Sequence, residues 1–296
     1  MNEARSLDRR DFLCVVAGCV AATTGSCADV THTPFFRERL RELTKAELAD
    51  IVAGMAEDYH VRYGKRFEVG AAPAQPGVEF AYALDLSHCV GCRRCVHACV
   101  AENNQSRDPE VQWIRVLEVE KGEGLDLAHA DPYYDAALVP RAGYTYVPIA
   151  CQQCRNPPCV KTCPTGATWQ EPDGITVIDY DWCIGCRCCI SACPYGARHF
   201  NWAEPQIPAD ELNTTTHVLG NRLREKGVVE KCTFCIHRVR EGLYPACVEA
   251  CPTGSRKFGN LLDPSSEIRY VLEHKRAFVL EAELGTRPRF YYFYGD

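Results

Sequence analysis

The sequence has no excess of basic charge and no long apolar run. It carries 33 Lys and Arg against 39 Asp and Glu, a formal net charge of −6. That balance argues against a nucleic-acid partner, because proteins that bind nucleic acid present a basic face. The uncharged stretch at residues 12–28 is rich in Thr, Gly and Ser and is shorter than the about 20 mostly apolar residues that span a bilayer. We therefore expect no transmembrane segment, so that any membrane attachment would need a partner or a lipid.

The sequence also lacks the C-x-x-C-H motif that attaches c-type haem, although it has 20 cysteines. The C-x-x-C pairs that begin at Cys92 and Cys232 each miss the motif, because the histidine comes one residue late. The cysteines must therefore be disulfide partners, ligands of another metal centre or reactive thiols, and their spacing distinguishes these.

Sixteen of the cysteines fall into four runs, each of which supplies three cysteines and then a fourth after three residues. The runs are Cys89-x2-Cys92-x2-Cys95-x3-Cys99, Cys151-x2-Cys154-x4-Cys159-x3-Cys163-Pro164, Cys183-x2-Cys186-x2-Cys189-x3-Cys193-Pro194 and Cys232-x2-Cys235-x11-Cys247-x3-Cys251-Pro252. Three thiolates from one tight loop can reach three iron corners of a cubane, but the fourth corner points away from that loop. In two-cluster ferredoxins the fourth cysteine of each run ligates the other cluster. The runs therefore predict four [4Fe–4S] clusters.

Zinc and disulfides are the alternatives to this interpretation. Zinc sites take four ligands, usually in two pairs, and have no use for a third cysteine followed by a distant C-x3-C-P. A disulfide framework would suit an exported protein, but the adjacent Cys188 and Cys189 and the tight C-x2-C loops suit it badly. The spacing favours iron–sulfur clusters over both.

The first 28 residues are typical of an export signal rather than of a folded domain. The segment Arg9-Arg10-Asp11-Phe12-Leu13 resembles the twin-arginine (Tat) signal, and we expect a periplasmic location or one on the outer face of the cytoplasmic membrane. Cleavage after Ala28 is one possibility, and a lipoprotein box with a lipid anchor at Cys19 is a second. We expect no chemistry from Cys14 and Cys27. The alternative is an uncleaved amphipathic N-terminus on a cytoplasmic protein.

Residues 29–78 are predicted to form a helical extension and a linker. Thr44 and Glu47 form a capping box, followed by apolar residues at helical spacing, namely Leu48, Ile51, Val52 and Met55. Pro73 and Pro76 indicate the linker. Short strands are predicted at residues 80–86, 112–119, 144–149, 175–178, 276–284 and 289–294.

Residues 80–296 resemble the four-cluster electron-transfer subunits of molybdopterin oxidoreductases, such as the small subunits of dimethyl sulfoxide reductase, polysulfide reductase and formate dehydrogenase, and related subunits of quinone-coupled membrane complexes. The resemblance rests on the segments Ile149-Ala150-Cys151-Gln152-Gln153-Cys154, Pro157-Pro158-Cys159, Lys231-Cys232-Thr233-Phe234-Cys235, Pro245-Ala246-Cys247 and Leu284-Gly285-Thr286-Arg287-Pro288.

The resemblance implies that run one pairs with run four and run two with run three. The implied ligand sets are Cys89, Cys92, Cys95 and Cys251; Cys232, Cys235, Cys247 and Cys99; Cys151, Cys154, Cys159 and Cys193; and Cys183, Cys186, Cys189 and Cys163. The sequence departs from the family pattern at Val100, where a proline would follow Cys99. Cys188 is a surplus thiol that we expect to be a packed bystander, although a ligand shift by one residue is the alternative.

The implied fold class is α+β, with two bacterial-ferredoxin-like modules built of short strands and short helices. Residues 79–150 plus 203–296 would form an outer module, with residues 151–202 inserted as an inner module, and the N-terminal helical extension would precede both.

The sequence has no molybdopterin domain, no flavin or nicotinamide phosphate loop and no quinone site in a membrane span, so we expect a non-catalytic subunit. It would relay single electrons between a membrane-integral quinone-reactive subunit and a molybdopterin catalytic subunit or a multihaem cytochrome. A free multicluster ferredoxin is the alternative. An enzyme with a site-differentiated cluster would need a missing cysteine, and none is missing. Four basic residues beside ligands either raise cluster potentials or point to water, namely Arg93, Arg94, Arg187 and Lys231.

Overall fold

A computed structural model describes residues 44–127 and 132–295 of the chain. The predicted export segment, with Cys14, Cys19 and Cys27, lies outside the described residues, as does the start of the predicted helical extension. The described part of the extension begins with helix α1, Lys45–Tyr63, whose N-cap is Thr44. The Thr44 hydroxyl accepts a hydrogen bond from the Glu47 N–H, and the Glu47 carboxylate accepts one from the Thr44 N–H. The predicted capping box is confirmed.

Helix α1 turns one side toward the rest of the protein. Leu48, Val52 and Met55 are half-buried and Tyr59 is buried, whereas Ile51 is 45% exposed. Tyr59 packs with Phe67, Leu212 and Leu223 in a small apolar cluster. The apolar side of the helix therefore contacts the body of the chain, but Ile51 does not take part in it.

The remaining elements are short. The helices are α2 (Arg94–Glu102), α3 (Pro158–Lys161), α4 (Cys188–Ser191), α5 (Ile236–Val239), α6 (Ala246–Glu249) and α7 (Glu267–His274). The strands are β1 (Glu68–Gly70), β2 (Phe80–Asp85), β3 (Arg115–Glu120), β4 (Tyr144–Ile149), β5 (Thr168–Gln170), β6 (Thr176–Ile178), β7 (His199–Phe200), β8 (Thr215–His217), β9 (Val229–Glu230), β10 (Arg256–Asn260) and β11 (Phe290–Phe293). Within the described ranges, no helix has both the length and the apolar character needed to cross a bilayer.

Most strands pair two by two, and one sheet has three strands. Antiparallel pairs form between β3 and β4, between β5 and β6, and between β7 and β9, while β1 and β8 run parallel. In the three-stranded sheet, β2 lies between antiparallel β10 and parallel β11. Residues early in the chain are thus hydrogen-bonded to residues near its end.

An aromatic core covers one side of the three-stranded sheet. Tyr82 from β2 stacks on Phe290 with ring centroids 5.2 Å apart and makes edge contacts with Phe234 and Phe258. Aromatic rings bury a large apolar area and favour stacked and edge-to-face contacts. This core belongs to the same buried cluster as Cys95, Cys99, Cys232 and Cys247, so the sheet positions cysteine-bearing loops.

The end of the chain departs from the two strands predicted there. Strand β11 lies within the second of them, but residues 276–284 form only an isolated bridge from Phe278 to Tyr292 and then a 3-10 turn at Ala282–Leu284. The physical reason is the positive φ of 49° at Glu281, which bends the backbone out of extended geometry. The sequence interpretation also missed helix α7, whose buried residues are Ile268 and Val271.

Two glycines allow the backbone to wrap tightly within runs one and three. Gly91 and Gly185 have φ of 72° and 71°, a left-handed conformation that costs other residues about 1–2 kcal/mol. A Cβ would clash with the Tyr146 ring at Gly91 and with the Gly227 carbonyl oxygen at Gly185. Glycine is therefore favoured at both positions, because φ is positive there and a Cβ would have no space.

Replacing Gly185 by alanine should lower the stability of the protein more than the same change at a glycine with similar φ and space for a Cβ. Gly166 is the matched control, because its φ is 69° and nothing lies within 4 Å of the position that a Cβ would take. Gly166→Ala should cost about 1–2 kcal/mol from φ alone, and Gly185→Ala should cost about 1–3 kcal/mol more from the clash. Thermal unfolding and iron content under anaerobic conditions measure this; equal losses in the two variants would contradict the clash.

Candidate metal centre

The first cysteine group consists of Cys89, Cys92, Cys95 and Cys251, which line one small cavity. Cys95 lies in the first turn of α2, and Cys251 follows α6. Helices α2 and α6 pack on each other, which brings the end of the chain to the loop of run one. The empty volume of the cavity is about 330 Å³.

The second group consists of Cys99, Cys232, Cys235 and Cys247. The Cys99 side chain interacts with those of the other three, and all four residues are buried. Cys99 lies in the last turn of α2 and Cys247 lies in α6. The same helix pair therefore supplies cysteines to both the first and the second groups.

The third group, Cys151, Cys154, Cys159 and Cys193, lines a second cavity with an empty volume of about 340 Å³. Cys159 lies in α3, Cys193 follows α4, and these two helices pack on each other as α2 and α6 do. The repeat in sequence is thus also a repeat in structure.

The fourth group consists of Cys163, Cys183, Cys186 and Cys189. The Cys189 side chain interacts with Cys183 and Cys163, and Cys186 also interacts with Cys163. This group reaches the surface, because Cys186 is exposed whereas Cys189 is buried. The surplus Cys188 is exposed, with its Sγ 3.9 Å from the Cys186 carbonyl oxygen. It is therefore not the packed bystander that the sequence suggested, since α4 turns its side chain outward.

Each group brings together four cysteines, which is the number of ligands that a cubane cluster takes. In the described part of the chain no three His, Cys, Asp or Glu side chains are close enough to hold one metal ion, and the described cysteines are free thiols. The ligands of one zinc ion lie at about 2.3 Å from it, whereas the ligands of a cubane bind different corners and stand farther apart. The groups are thus compatible with [4Fe–4S] clusters.

Burial disfavours thiolates in these groups unless a positive centre is present. It raises the pKa of Cys89 to about 11 and those of Cys154 and Cys232 to about 12. Cys251 is the exception: burial raises its pKa, but hydrogen bonds with Ser255 and Thr253 lower it to about 7. Because metal ligation requires the thiolate, bound iron would supply the missing stabilisation.

The four groups follow one another in space. Cys95 of the first group interacts with Cys247 of the second, and Cys232 of the second interacts with Cys151 of the third. Arg198 interacts with both Cys159 of the third group and Cys189 of the fourth. The order along the molecule is therefore first, second, third, fourth.

Several polar side chains form hydrogen bonds with cysteine sulfur, and the sequence interpretation did not single them out. Gln105 Nε2 lies 3.2 Å from Cys99 Sγ, and Tyr82 Oη lies 2.7 Å from Cys247 Sγ. Arg198 Nη2 donates to Cys159 Sγ over 3.1 Å, and Arg256 Nη2 donates to Cys95 Sγ over 3.4 Å. Hydrogen bonds to sulfur are a principal means by which a protein tunes an iron–sulfur cluster.

A sequence signal for the two arginines does exist. Arg198 and Arg256 each stand five residues after the last cysteine of a run, in Cys193-Pro-Tyr-Gly-Ala-Arg and Cys251-Pro-Thr-Gly-Ser-Arg. This shared offset becomes visible when the cysteine runs are aligned with one another. It lies outside the residues directly next to the cysteines, which were the ones considered above.

The four basic residues that stand beside cysteines in the sequence differ in burial and in hydrogen-bond partners. Arg94 and Arg187 are exposed, and Arg187 stacks over Trp202 at 4.6 Å. Arg93 is half-buried and donates to Gln112 Oε1 over 3.0 Å. Lys231 is fully buried and donates to the backbone oxygen atoms of Thr176 and Cys232. Of the four, only Lys231 is therefore buried among the cysteine groups.

Unpaired donors at the two cavities support the fit of a sulfur-rich cofactor. Arg198 lines the cavity of the third group, and its Nε and Nη1 have no hydrogen-bond acceptor among the described residues. Arg256 lines the cavity of the first group, and its Nη1 is likewise without an acceptor there. A buried donor without a partner costs about 1–3 kcal/mol. Cluster sulfur would accept these hydrogen bonds, so the residues present fit the cofactor.

Two family models match the chain, and both describe a 4Fe-4S dicluster domain. One covers residues 88–167 and the other covers residues 142–211 and 219–261. Together they include all four cysteine runs.

Three relatives illustrate the similarity. A Halobacterium salinarum protein named as a dimethyl sulfoxide reductase iron–sulfur subunit is 44% identical over 220 residues, 73% of this chain and 79% of the relative. A selenate reductase subunit of Mesobacillus selenatarsenatis is 35% identical over 306 residues, 98% of each chain. The Hdr-like menaquinol oxidoreductase iron–sulfur subunit 1 of Archaeoglobus fulgidus is 38% identical over 242 residues, 72% of this chain and 82% of the relative.

The adjacent Cys188 and Cys189 offer a matched test of ligand assignment. Cys189→Ser should remove one buried ligand and lower the iron content from about sixteen to about twelve per chain if the fourth cluster is lost. Cys188→Ser should leave iron content and the EPR spectrum unchanged, since its side chain points outward. The reverse pattern would show that the ligand is Cys188.

Proposed function

The chain belongs to the family of iron–sulfur electron-transfer subunits of molybdopterin oxidoreductases and related quinone-coupled complexes, and we propose that it relays single electrons along one line of four [4Fe–4S] clusters. The observation that carries this proposal is the succession of four cysteine groups in space, each drawn from two cysteine runs. When bound, the clusters supply one-electron oxidation and reduction.

The proposed ligands follow the four groups. They are Cys89, Cys92, Cys95 and Cys251 for the first cluster; Cys99, Cys232, Cys235 and Cys247 for the second; Cys151, Cys154, Cys159 and Cys193 for the third; and Cys163, Cys183, Cys186 and Cys189 for the fourth. The shared cavities of the first and third groups and the electrostatic interactions among the cysteines of each group support the assignment.

The proposed modules are one ferredoxin-like unit inserted in another. Helices α2 and α6 would belong to an outer module of residues 79–150 plus 203–296, and α3 and α4 to an inner module of residues 151–202. The pairing of β2 with β10 and β11 supports the outer module, since it joins residues on both sides of the insertion. Helix α1 would be an extension that packs on this body.

Electrons would enter and leave at the two ends of the line. The second group is entirely buried, whereas Cys186 of the fourth group is exposed and three cysteines of the first group are half-buried. Trp182 and Trp202 near the fourth group are 49% and 64% exposed, and exposed aromatic side chains are common where proteins meet. This arrangement supports transfer to bound partners at the ends.

We propose that the partners are a membrane-integral quinone-reactive subunit and a catalytic molybdopterin subunit or multihaem cytochrome. The names of the relatives, which include reductases of dimethyl sulfoxide and selenate and a menaquinol oxidoreductase, support this class of complex. In such a complex the present chain would be non-catalytic, because the functional residues identified in it are the proposed cluster ligands.

Export by the twin-arginine route to the outer face of the cytoplasmic membrane completes the proposal, on the strength of Arg9 and Arg10. Replacing both by lysine should retain the full-length chain in the cytoplasm, as measured by fractionation and immunoblotting. Cys19→Ser is the control for a lipid anchor, because it should leave export intact. Unchanged export of the lysine variant would contradict the route.

Isolation of the protein from native membranes tests complex membership. In mild detergent it should co-migrate on size exclusion with an integral membrane polypeptide and with a subunit that contains molybdenum or c-type haem. Metal analysis and haem staining of the same peak identify the second partner. The tagged chain expressed alone is the control for unspecific association. A monomeric native peak without another polypeptide would favour a free ferredoxin instead.

A further inference from the structure

Three buried cations lie in the three gaps between successive cysteine groups. They are Arg256, Lys231 and Arg198, with relative exposures of 3%, 0% and 4%. Each has electrostatic interactions with cysteines of the two groups that flank its gap. The line of four groups is therefore interleaved with three positive charges.

Arg256 occupies the gap between the first and second groups. It begins strand β10, and pairing with Leu84 of β2 fixes its backbone position. Its Nη2 donates to Cys95 Sγ of the first group over 3.4 Å, and its charge also interacts with Cys247 of the second. The guanidinium therefore contacts the first group and faces the second.

Lys231 occupies the gap between the second and third groups. It directly precedes Cys232 of the second group, and its charge interacts with Cys151 and Cys159 of the third. Its Nζ donates to the Cys232 carbonyl oxygen over 2.7 Å and to the Thr176 carbonyl oxygen. These two backbone acceptors hold the ammonium in the gap.

Arg198 occupies the gap between the third and fourth groups. Its Nη2 donates to Cys159 Sγ of the third group over 3.1 Å and to Thr168 Oγ1 over 3.0 Å. Its charge also has an electrostatic interaction with Cys189 of the fourth group. The guanidinium therefore contacts the third group and faces the fourth.

These cations differ from other buried cations of the chain in having no carboxylate partner in the described part of the structure. Arg224 is paired with buried Glu230 at 2.8 Å, and Arg240 is paired with buried Asp173 at 2.9 Å. A buried charge without a counterion is strongly unfavourable. The negative charge that balances the gap cations must therefore come from the cysteine thiolates and what they bind.

We propose that Arg256, Lys231 and Arg198 set the reduction potentials of the clusters on either side of each gap and lessen the repulsion between neighbouring reduced clusters. This inference rests on the proposed function, since it needs the four clusters. A cubane with four thiolate ligands becomes more negative on reduction, so a fixed cation nearby stabilises the reduced state more than the oxidised one. Loss of the cation lowers the potential.

The proposal predicts a paired pattern of shifts in anaerobic redox titrations of the full chain followed by EPR. Arg256→Gln should lower the potentials of the first and second clusters, Lys231→Gln those of the second and third, and Arg198→Gln those of the third and fourth. We expect at least a tenfold loss in the reduction equilibrium constant of each flanking cluster, a shift of about 59 mV for one electron. The two distant clusters should keep their potentials.

Charge-conserving variants separate charge from packing. Arg256→Lys and Arg198→Lys should keep the flanking potentials near those of the unmodified protein, whereas the Gln variants keep N–H donors but lose the charge. Arg240→Gln is a control for the loss of a buried cation elsewhere, and it should leave all four potentials in place. Equal shifts in the Lys and Gln variants, or shifts spread over all four clusters, would overturn the proposal.

Iron content distinguishes failure of this inference from failure of the proposed function. Unmodified protein without about sixteen irons would refute the four-cluster function itself, whatever the variants do. Loss of iron in a Gln variant but not in the matching Lys variant would support the role of the charge. Loss of iron in both would assign the residue to packing and overturn its role in setting potentials.

Discussion

The fourth corner of a cubane is the constraint on which the structure depends. One tight loop can present three cysteines to a cluster, and the fourth must come from a remote part of the chain. In the proposed ligand assignment, Cys251 near the end of the sequence has to reach the loop of Cys89, and α2, α6 and the pairing of β2 with β10 bring the two together. Helices α3 and α4 would do the same for the middle runs. The helices and strands can be short, because each of them needs to position only a few cysteines.

Charge is the second requirement of such an interior. Burial raises the pKa of Cys99, Cys154 and Cys232, so an interior lined by thiols alone would stay neutral. In the proposed clusters iron would turn the same cysteines into negative ligands, and Arg198, Lys231 and Arg256 lie where that charge would accumulate. Apolar packing around the aromatic core of Tyr82 excludes water from Cys95 and Cys247, and a low local dielectric strengthens their interaction with Arg256. The same arrangement of buried cations and cysteines would thus affect both the stability of the protein and its electron transfer.

Much of this site could be predicted from sequence, because metal ligands come with fixed spacing. The cysteine runs and the capping box at Thr44 both reflect local geometry that can be read from residue types and spacing. The pairing of runs came from family resemblance, since no local pattern tells which distant loop supplies a fourth ligand. The roles of Arg198 and Arg256 depend on which groups they separate in space, and the sequence interpretation missed them. The outward turn of Cys188 likewise depends on the rotation of α4.

Chemical analysis of anaerobically purified full-length protein tests the central claim most directly. Iron, acid-labile sulfide and zinc are measured on the same sample and normalised to protein by amino-acid analysis. Four cubanes predict about sixteen irons and about sixteen sulfides per chain, with interacting EPR signals after reduction. Zinc without labile sulfide, or iron at half that level with all cysteines intact, would contradict the account.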